Sequence, residues 1–238
     1  MFIKSAPFYD ALYGFVDYSA AVERLREVIQ ANAPHAATLL DVGCGTGRHL
    51  RHFQKFYDVE GLDLNGLLLE TARERCPDVR FHEASMLDFS LPRRFDVVTC
   101  LFSAVGYVQT VENMRRAIAN MARHVERGGL LIVEPWFEPD RYWTGTITAN
   151  HVDRPDMKIC WMYTSKRDGQ LSVLDIHYLV GTPDRVEHFE EQHRIGLFTR
   201  EEHMSAMTEA GLDVIFDPEG PFKRGLYVGR ASGAGQHD

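Results

Sequence analysis

An apolar run that ends in glycines at alternate positions, Thr38-Leu39-Leu40-Asp41-Val42-Gly43-Cys44-Gly45-Thr46-Gly47, constrains this chain more than any other segment. The run has the length of a buried strand, and the glycines make a tight turn into a helix expected over 49–56. Glycine tolerates positive φ, and it leaves room where a Cβ at Gly43 or Gly45 would block a ligand passing the turn. Amides exposed before a helix can hold an anion or a polar ligand tail. The spacing differs from the G-x-G-x-x-G dinucleotide fingerprint, and the turn lacks the Lys-Ser/Thr pair of a P-loop. Asp63 stands 20 residues beyond Gly43, at the end of a second strand expected over 58–64. There a carboxylate can accept both ribose hydroxyls of an adenosine. The glycines alone would also fit a ligand-free joint; together with Asp63 they point to a nucleoside-bearing ligand.

The rest of the chain repeats that unit. Ala21, Val22, Leu25, Val28 and Ile29 form one helical stripe. Helices are expected over 67–76 and 114–125, and strands near 79–84, 95–100 and 128–135. Strands alternating with helix-length segments imply a mostly parallel sheet covered on both faces, with its ligand beyond the strands' carboxyl ends. After Pro135 the rhythm stops. Segments rich in β-branched and aromatic residues follow, divided at Asp168-Gly169 and Gly181-Thr182-Pro183, and read as an antiparallel insertion over about 143–195 that sits on the mouth of the sheet. A helix over 200–211 and strands over 212–217 and 225–230 complete the pattern. The expectation is one α/β domain over 1–230, a seven-stranded Rossmann-like fold with an antiparallel β insertion over the active site, and a flexible tail over 231–238.

The formal charge of −8 and the absence of a dense Lys/Arg stripe argue against nucleic-acid or membrane-surface binding. Cys44, Cys76, Cys100 and Cys160 lie far apart and form no C-x-x-C pair, so they read as reduced thiols. No apolar run is long enough to span a bilayer, and the start lacks the pattern of a secretion signal; a cytoplasmic protein is expected. No H-E-x-x-H or compact acidic motif occurs, so no metal is expected.

Asp41 to Gly47, Asp63 and the strand order resemble a class I S-adenosylmethionine (SAM)-dependent methyltransferase. The likeness narrows through FYDALY at 8–13, CLFSAVGYVQT at 100–110, GGLLIVEPWFEPD at 128–140, HYLV at 177–180, FEEQHRIGLFTREE at 189–202 and GPFKRGLYVGR at 220–230. These segments resemble the bacterial N,N-dimethyltransferases that act on nucleotide-linked 3-amino deoxysugars in antibiotic biosynthesis. The resemblance covers nearly all of the chain to Arg230. It implies SAM as cofactor, a TDP-linked sugar amine as acceptor, and a homodimer whose β insertion helps to build the substrate site. It also implies cofactor contacts at Gly43, Cys44, Gly45, Gly47, His49, Asp63, Leu64, Ser85, Met86 and Leu101. Two departures stand out. Ala84-Ser85-Met86 replaces the family's Gly-Asp-Met, so Ser85 stands where an acid is expected near adenine, and Tyr13-Gly14-Phe15-Val16 replaces a segment that tends to carry lysine and glycine.

On the acceptor side, methyl transfer to an amine needs an unprotonated nucleophile aligned with the donor carbon, and positioning with desolvation can suffice. Tyr107, at the ligand end of the fourth strand, is either an active-site residue or loop packing; the resembling enzymes place Tyr or His there. Glu134 could orient the acceptor. Trp136 could face a sugar or ring, or close the core. Tyr9, Tyr13 and Tyr18 read as an aromatic N-terminal cover or as helix packing. On the insertion, alternation puts Asp175 and His177 on one strand face and Tyr178 on the other. His177 is a candidate base, set against the more ordinary reading of a structural histidine. Arg194, Lys223 and Arg224 are candidates for a diphosphate, with surface roles as the alternative. The expected catalytic set is Tyr107, His177 and Glu134, and the expected substrate set is Tyr9, Tyr13, Tyr18, Tyr107, Trp136, Tyr178 and Arg194. The alternative function is a SAM-dependent N- or C-methyltransferase acting on an indole or another small scaffold.

Overall fold

Burial on both faces decides which segments become central strands. The computed structural model describes residues 2–232 and forms β1 (Thr38–Val42), β2 (Asp58–Asp63), β4 (Phe95–Cys100) and β5 (Val125–Val133) from the apolar runs, with the more polar β3 (Arg80–Glu83) at the sheet's edge. The insertion contributes β6 (Ile147–Asp153), β7 (Lys158–Asp168), β8 (Leu171–Gly181) and β9 (Val186–Gly196), and the last two strands are β10 (Leu212–Asp217) and β11 (Leu226–Ala231). The helices are α1 (Tyr9–Leu12), α2 (Tyr18–Asn32), α3 (Leu50–Phe53), α4 (Gly66–Arg75), α5 (Val111–Arg123) and α6 (Arg200–Glu209).

The main sheet has seven strands in the order β10-β11-β5-β4-β1-β2-β3. β1 to β5 pair in parallel, whereas β11 runs antiparallel to both β5 and β10. Leu39, Val97, Leu130 and Ile132 face α2 and α4, which supply Val22, Leu25, Ile29, Leu69 and Ala72. The opposite face carries Leu40, Val42, Val98 and Cys100 against Met114, Ile118 and Met121 of α5 and Met207 of α6. Strand order reverses between β1 and β4, so a crevice opens beyond their carboxyl ends.

The helix starts are fixed chemically. Asp17 caps α2 by accepting the Ala20 amide at 2.9 Å. Thr199 and Glu202 form a reciprocal capping box on α6. The helix expected over 49–56 is a single turn, Leu50–Phe53, followed by tight turns from Lys55 to His52 and Phe56 to Phe53. The chain must leave the helix early because Asp58 already pairs with Thr38 at the start of β2.

The insertion is a separate four-stranded antiparallel sheet, β6-β7-β8-β9. Asp168 pairs with Leu171, so Gly169-Gln170 is its two-residue turn, with Gly169 at φ 59°. Its inner face sets Ile159, Leu174, Ile176 and Tyr178 against Ala11 and Leu12 of α1. A short 3-10 turn, Ala104–Val108, joins this layer to the main sheet. Of the expected tail, Ala231 closes β11, and 233–238 lie outside the described residues.

Gly106 sits in that joint, where an added Cβ would fall 2.4 Å from Ile195 Cγ2 on β9. Gly106→Ala is therefore expected to push the insertion off the main sheet and destabilise the protein by about 1–3 kcal/mol, read as a fall in melting temperature.

Candidate active site

The crevice at the strand-order reversal continues under the insertion as one cavity of about 530 Å³. That size suits a small-molecule site. Its floor is made by the glycine turn, its far wall by the insertion, and its lid by residues 2–16.

At the floor, Gly43 and Gly45 take φ of 76° and 55°. A Cβ at Gly43 would lie 2.6 Å from the Ala104 Cβ, whereas the space beside Gly45 is open. Asp63 Oδ2 accepts the Gly45 amide and Oδ1 the Asn65 amide, both at 2.8 Å. Burial raises the Asp63 pKa, and those amides together with Leu64's pull against it. Each oxygen keeps capacity for one more donor from the cavity that Asp63 lines. Leu64, Ser85, Met86 and Leu101 line the same end. Ser85 also accepts the Leu87 amide at 3.2 Å, holding the turn where the resemblance led us to expect an acid.

Three expected cofactor contacts lie behind this surface, outside the cavity lining. Gly47 takes φ 72° and a Cβ there would meet Ala72 at 3.3 Å, so it admits α4. Cys44 is buried beneath the turn, its amide bonded to the Leu62 carbonyl at 3.0 Å. His49 packs edge-on against Tyr18, and burial lowers its pKa to about 3, which keeps it neutral. Tyr18 likewise lies outside the lining; its ring carries Arg48 at 4.4 Å, a packing role rather than a substrate contact.

On the acceptor side, Tyr9, Tyr13, Tyr107, Trp136 and Tyr178 converge on the cavity with Phe2 and Phe102. Trp136 Nε1 donates to Ser172 Oγ at 3.1 Å. Burial pushes the hydroxyls of Tyr9, Tyr13, Tyr107 and Tyr178 far above their ordinary pKa, so all four are neutral donors.

Glu134 does not reach the cavity. It is fully buried, accepts the Phe102 amide at 2.7 Å and receives Arg224 Nη2 at 2.8 Å and Nε at 3.2 Å. Its carboxylate caps the amide of Phe102, which with Ser103 takes left-handed backbone, φ 50° and 65°, and it fixes Arg224 in the cavity wall beside Trp136, Phe102 and Phe222. Of the three cations considered for a diphosphate, Arg224 is therefore the one the fold presents. Arg194 pairs with Asp168 on the surface at 2.7 Å, away from the cavity.

His177 also falls elsewhere. In β8 the even-numbered Leu174, Ile176 and Tyr178 point into the cavity, and the face shared by Asp175, His177 and Leu179 is turned outward. His177 is exposed and contacts His188 at 3.4 Å and Glu190 at 3.2 Å. The residue overlooked in its place is His193 of β9, only 2% exposed, whose Nδ1 meets the Tyr107 hydroxyl at 2.8 Å. Its signal in the sequence was faint: one histidine in a polar-looking strand, facing inward by alternation.

The family profile described as "Methyltransferase domain" matches residues 39–129. The chain is 42% identical over 222 residues to dTDP-3-amino-3,6-dideoxy-alpha-D-glucopyranose N,N-dimethyltransferase of Streptomyces fradiae, covering 92% of this chain and 87% of that protein. The crystal structure of DesVI from Streptomyces venezuelae superposes with a TM-score of 0.90 at 38% identity, covering 96% of this chain and 99% of that one. SAM-bound CalS10, an amino pentose methyltransferase from Micromonospora echinaspora involved in calicheamicin biosynthesis, gives 0.87 at 35% identity over 98% of each chain. The chain belongs to the class I SAM-dependent methyltransferases and is closely related to the bacterial TDP-sugar N,N-dimethyltransferases.

SAM supplies an electrophilic methyl carbon on a sulfonium. The open space at Gly45, the spare acceptor capacity of Asp63 and the apolar walls of Leu64, Met86 and Leu101 suit its polar tail, ribose and adenine. Removing the carboxylate should be costly, because hydrogen bonds to a charged acceptor are among the stronger ones. Asp63→Ala is expected to weaken SAM binding by about 10- to 100-fold in calorimetric titration.

Asp41, beneath the same turn, donates nothing to the cavity. Oδ1 accepts from Thr99 Oγ1 at 2.8 Å, and Oδ2 has no partner. Burial raises its pKa to about 7, with Thr99 pulling the other way. A carboxyl whose folded pKa lies above its unfolded value holds its proton better when folded, so its stabilising contribution is complete at low pH and declines as pH climbs towards 7. Urea unfolding of the SAM-free protein should show that decline between about pH 4 and 7, and Asp41→Asn should flatten it.

Proposed function

We propose that this methyltransferase transfers methyl groups from SAM to the amine of a nucleotide-linked amino deoxysugar in secondary metabolism. One observation carries the reading. Arg224, held by the buried Glu134, offers a fixed guanidinium in an otherwise aromatic wall of the cavity. A planar cation with spare N–H groups is the donor a diphosphate needs. The neutral Tyr107 hydroxyl, in the same cavity, offers a polar contact for an uncharged amine. An indole or other neutral ring gives Arg224 no anion to pair with. The names of the relatives support the same acceptor class, including the N,N-dimethyltransferases for a 3-amino-3,6-dideoxy and a 3-amino-3,4,6-trideoxy sugar.

Chain residues then have separable tasks. The glycine turn and Asp63 hold the donor, and Tyr13, Trp136 and Tyr178 shape an apolar pocket for the deoxy sugar. The lid from Phe2 to Val16 excludes water, which favours the unprotonated amine. The outward face of the insertion, with Met162, Leu179, Ile147 and Val186 exposed, supplies an apolar surface for a homodimer. A cytoplasmic setting suits the four free thiols, and among the described residues no helix is long and apolar enough to cross a membrane.

The test is a mass-spectrometric methyl-transfer assay with SAM and three acceptors: a TDP-linked 3-amino deoxysugar, the same sugar unlinked, and an indole panel. Gain of one or two methyl groups on the TDP-linked amine is expected, and methylation of indole alone would overturn the assignment. Arg224→Gln combined with Glu134→Gln, which removes both charges together, should raise KM for the TDP-linked sugar by about tenfold or more while leaving KM for SAM near its original value.

A further inference from the structure

The methylation reading leaves a proton unaccounted for. When the amine lone pair bonds to the methyl carbon, the carbon–sulfur bond breaks and its electron pair returns to sulfur. The product is an ammonium, which must lose a proton before that nitrogen can attack a second time. Tyr107 cannot collect that proton as a phenolate, since burial among Tyr13, Tyr178, Glu191 and Asp63 keeps its hydroxyl neutral.

Behind Tyr107 the chain has built a path. The Tyr107 hydroxyl lies 2.8 Å from His193 Nδ1, and His193 Nε2 lies 3.6 Å from Glu191 Oε2. Both side chains are almost wholly buried, and Nε2 has no hydrogen-bond partner of its own. A carboxylate facing Nε2 favours the tautomer protonated there, which leaves Nδ1 free to accept from Tyr107. Glu191 is itself anchored: Oε1 accepts the amides of Ile3 at 2.9 Å and Ser5 at 3.0 Å, and Oε2 accepts Ser5 Oγ at 2.5 Å. Burial acts to raise the Glu191 pKa, but His193, Ser5 and the Ile3 amide outweigh it and bring the group down to about 2. It is therefore a permanent anion beside the imidazole, and it also ties down the start of the lid. Phe2 seals the imidazole edge-on at 4.6 Å.

We infer that Tyr107, His193 and Glu191 form a proton relay that neutralises the methylated amine, with His193 and Glu191 acting through Tyr107. In the step, the Tyr107 oxygen takes one proton from the ammonium as its own proton passes to His193 Nδ1. The resulting imidazolium is stabilised by the Glu191 carboxylate until the lid opens to solvent. No proton, electron or further reactant is needed beyond those present. Because the relay resets the nitrogen, it matters most between a first and a second transfer on a bound acceptor.

The relay rests on the amine-methylation reading, and the experiment separates the two. Wild type, His193→Gln and Glu191→Gln are compared on the TDP-linked 3-amino sugar from pH 6 to 9, with SAM affinity measured by calorimetry as a check on folding. Failure of wild type to methylate the amine defeats the function itself. With wild type active, the relay requires a rise of kcat with pH that depends on the His193 imidazole. His193→Gln should lower kcat by about tenfold or more at neutral pH, abolish that limb, enrich the monomethyl product and leave KM for SAM unchanged. A uniform loss at all pH values with the limb and product ratio intact, or no loss, would overturn it. Nitrogen NMR of histidine-labelled protein gives a readout without turnover. Wild type should show the Nε2-protonated tautomer for His193; an Nδ1-protonated ring would also overturn the relay.

Discussion

The contact between Asp63 and the Gly45 amide holds this site together. One carboxylate at the end of β2 reaches across to the turn at the end of β1, so two neighbouring parallel strands deliver a loop and an acid to the same point. The geometry follows from the parallel sheet. Strands buried on both faces must be continuous apolar runs, and polar functional groups can enter only where the strands stop. Asp63, Ser103 beyond β4 and Glu134 beyond β5 all obey this, one or a few residues past the last buried strand position. The reversal of strand order between β1 and β4 then opens the space those groups surround.

A second constraint is the buried pair of Glu134 and Arg224. An unpaired buried carboxylate would cost several kcal/mol, and the arginine together with the Phe102 amide offsets that. In return the pair fixes three things at once: the strained backbone at Phe102 and Ser103, the connection from β5, and the loop before β11 that carries Arg224. Because Arg224 is already neutralised on one side, a ligand meets a cation whose orientation is set but whose charge is partly used. That favours recognition of a correctly placed anion over indiscriminate capture of any anion.

The sheet and the glycine turn that floors the cavity were legible because their signals are local. Glycines at alternate positions, an acid at the end of the next strand and unbroken apolar runs each report on their own backbone. Cys44, Gly47 and His49 lay within the same motif yet turned out to support it from behind; sequence adjacency to a ligand loop does not say which side of the loop a residue occupies. The insertion was legible as strands and a hairpin, and its period correctly separated His177 from Tyr178. Which face was inward was the undetermined quantity. An antiparallel strand with Leu179 on one side and Ile176 on the other offers apolar residues to both, and only α1, through Ala11 and Leu12, selects the even face. Arg194 was lost to the same ambiguity and His193 was gained by it. Glu134 shows a different limit, since its partner lies 90 positions away and no local pattern announces the pair.

Apart from Arg224, the acceptor side of the cavity is mostly aromatic, and that shapes its chemistry. Tyr9, Tyr13, Tyr107 and Tyr178, held neutral by burial, with Phe2, Phe102 and Trp136 make a low-dielectric chamber in which a neutral amine is favoured over its ammonium. This environment aids attack, since the lone pair stays available. It also makes the product of attack, a cation in an apolar chamber, unfavourable unless its proton can leave. A wall of aromatic hydroxyls alone cannot remove it. The imidazole in contact with that wall is His193, and the carboxylate facing its other nitrogen is Glu191. The same carboxylate holds Ile3 and Ser5 at the edge of the lid, so the closure that dries the chamber and the anion facing the imidazole depend on a single side chain. Drying the site without that anion would trap the charge that the chemistry creates.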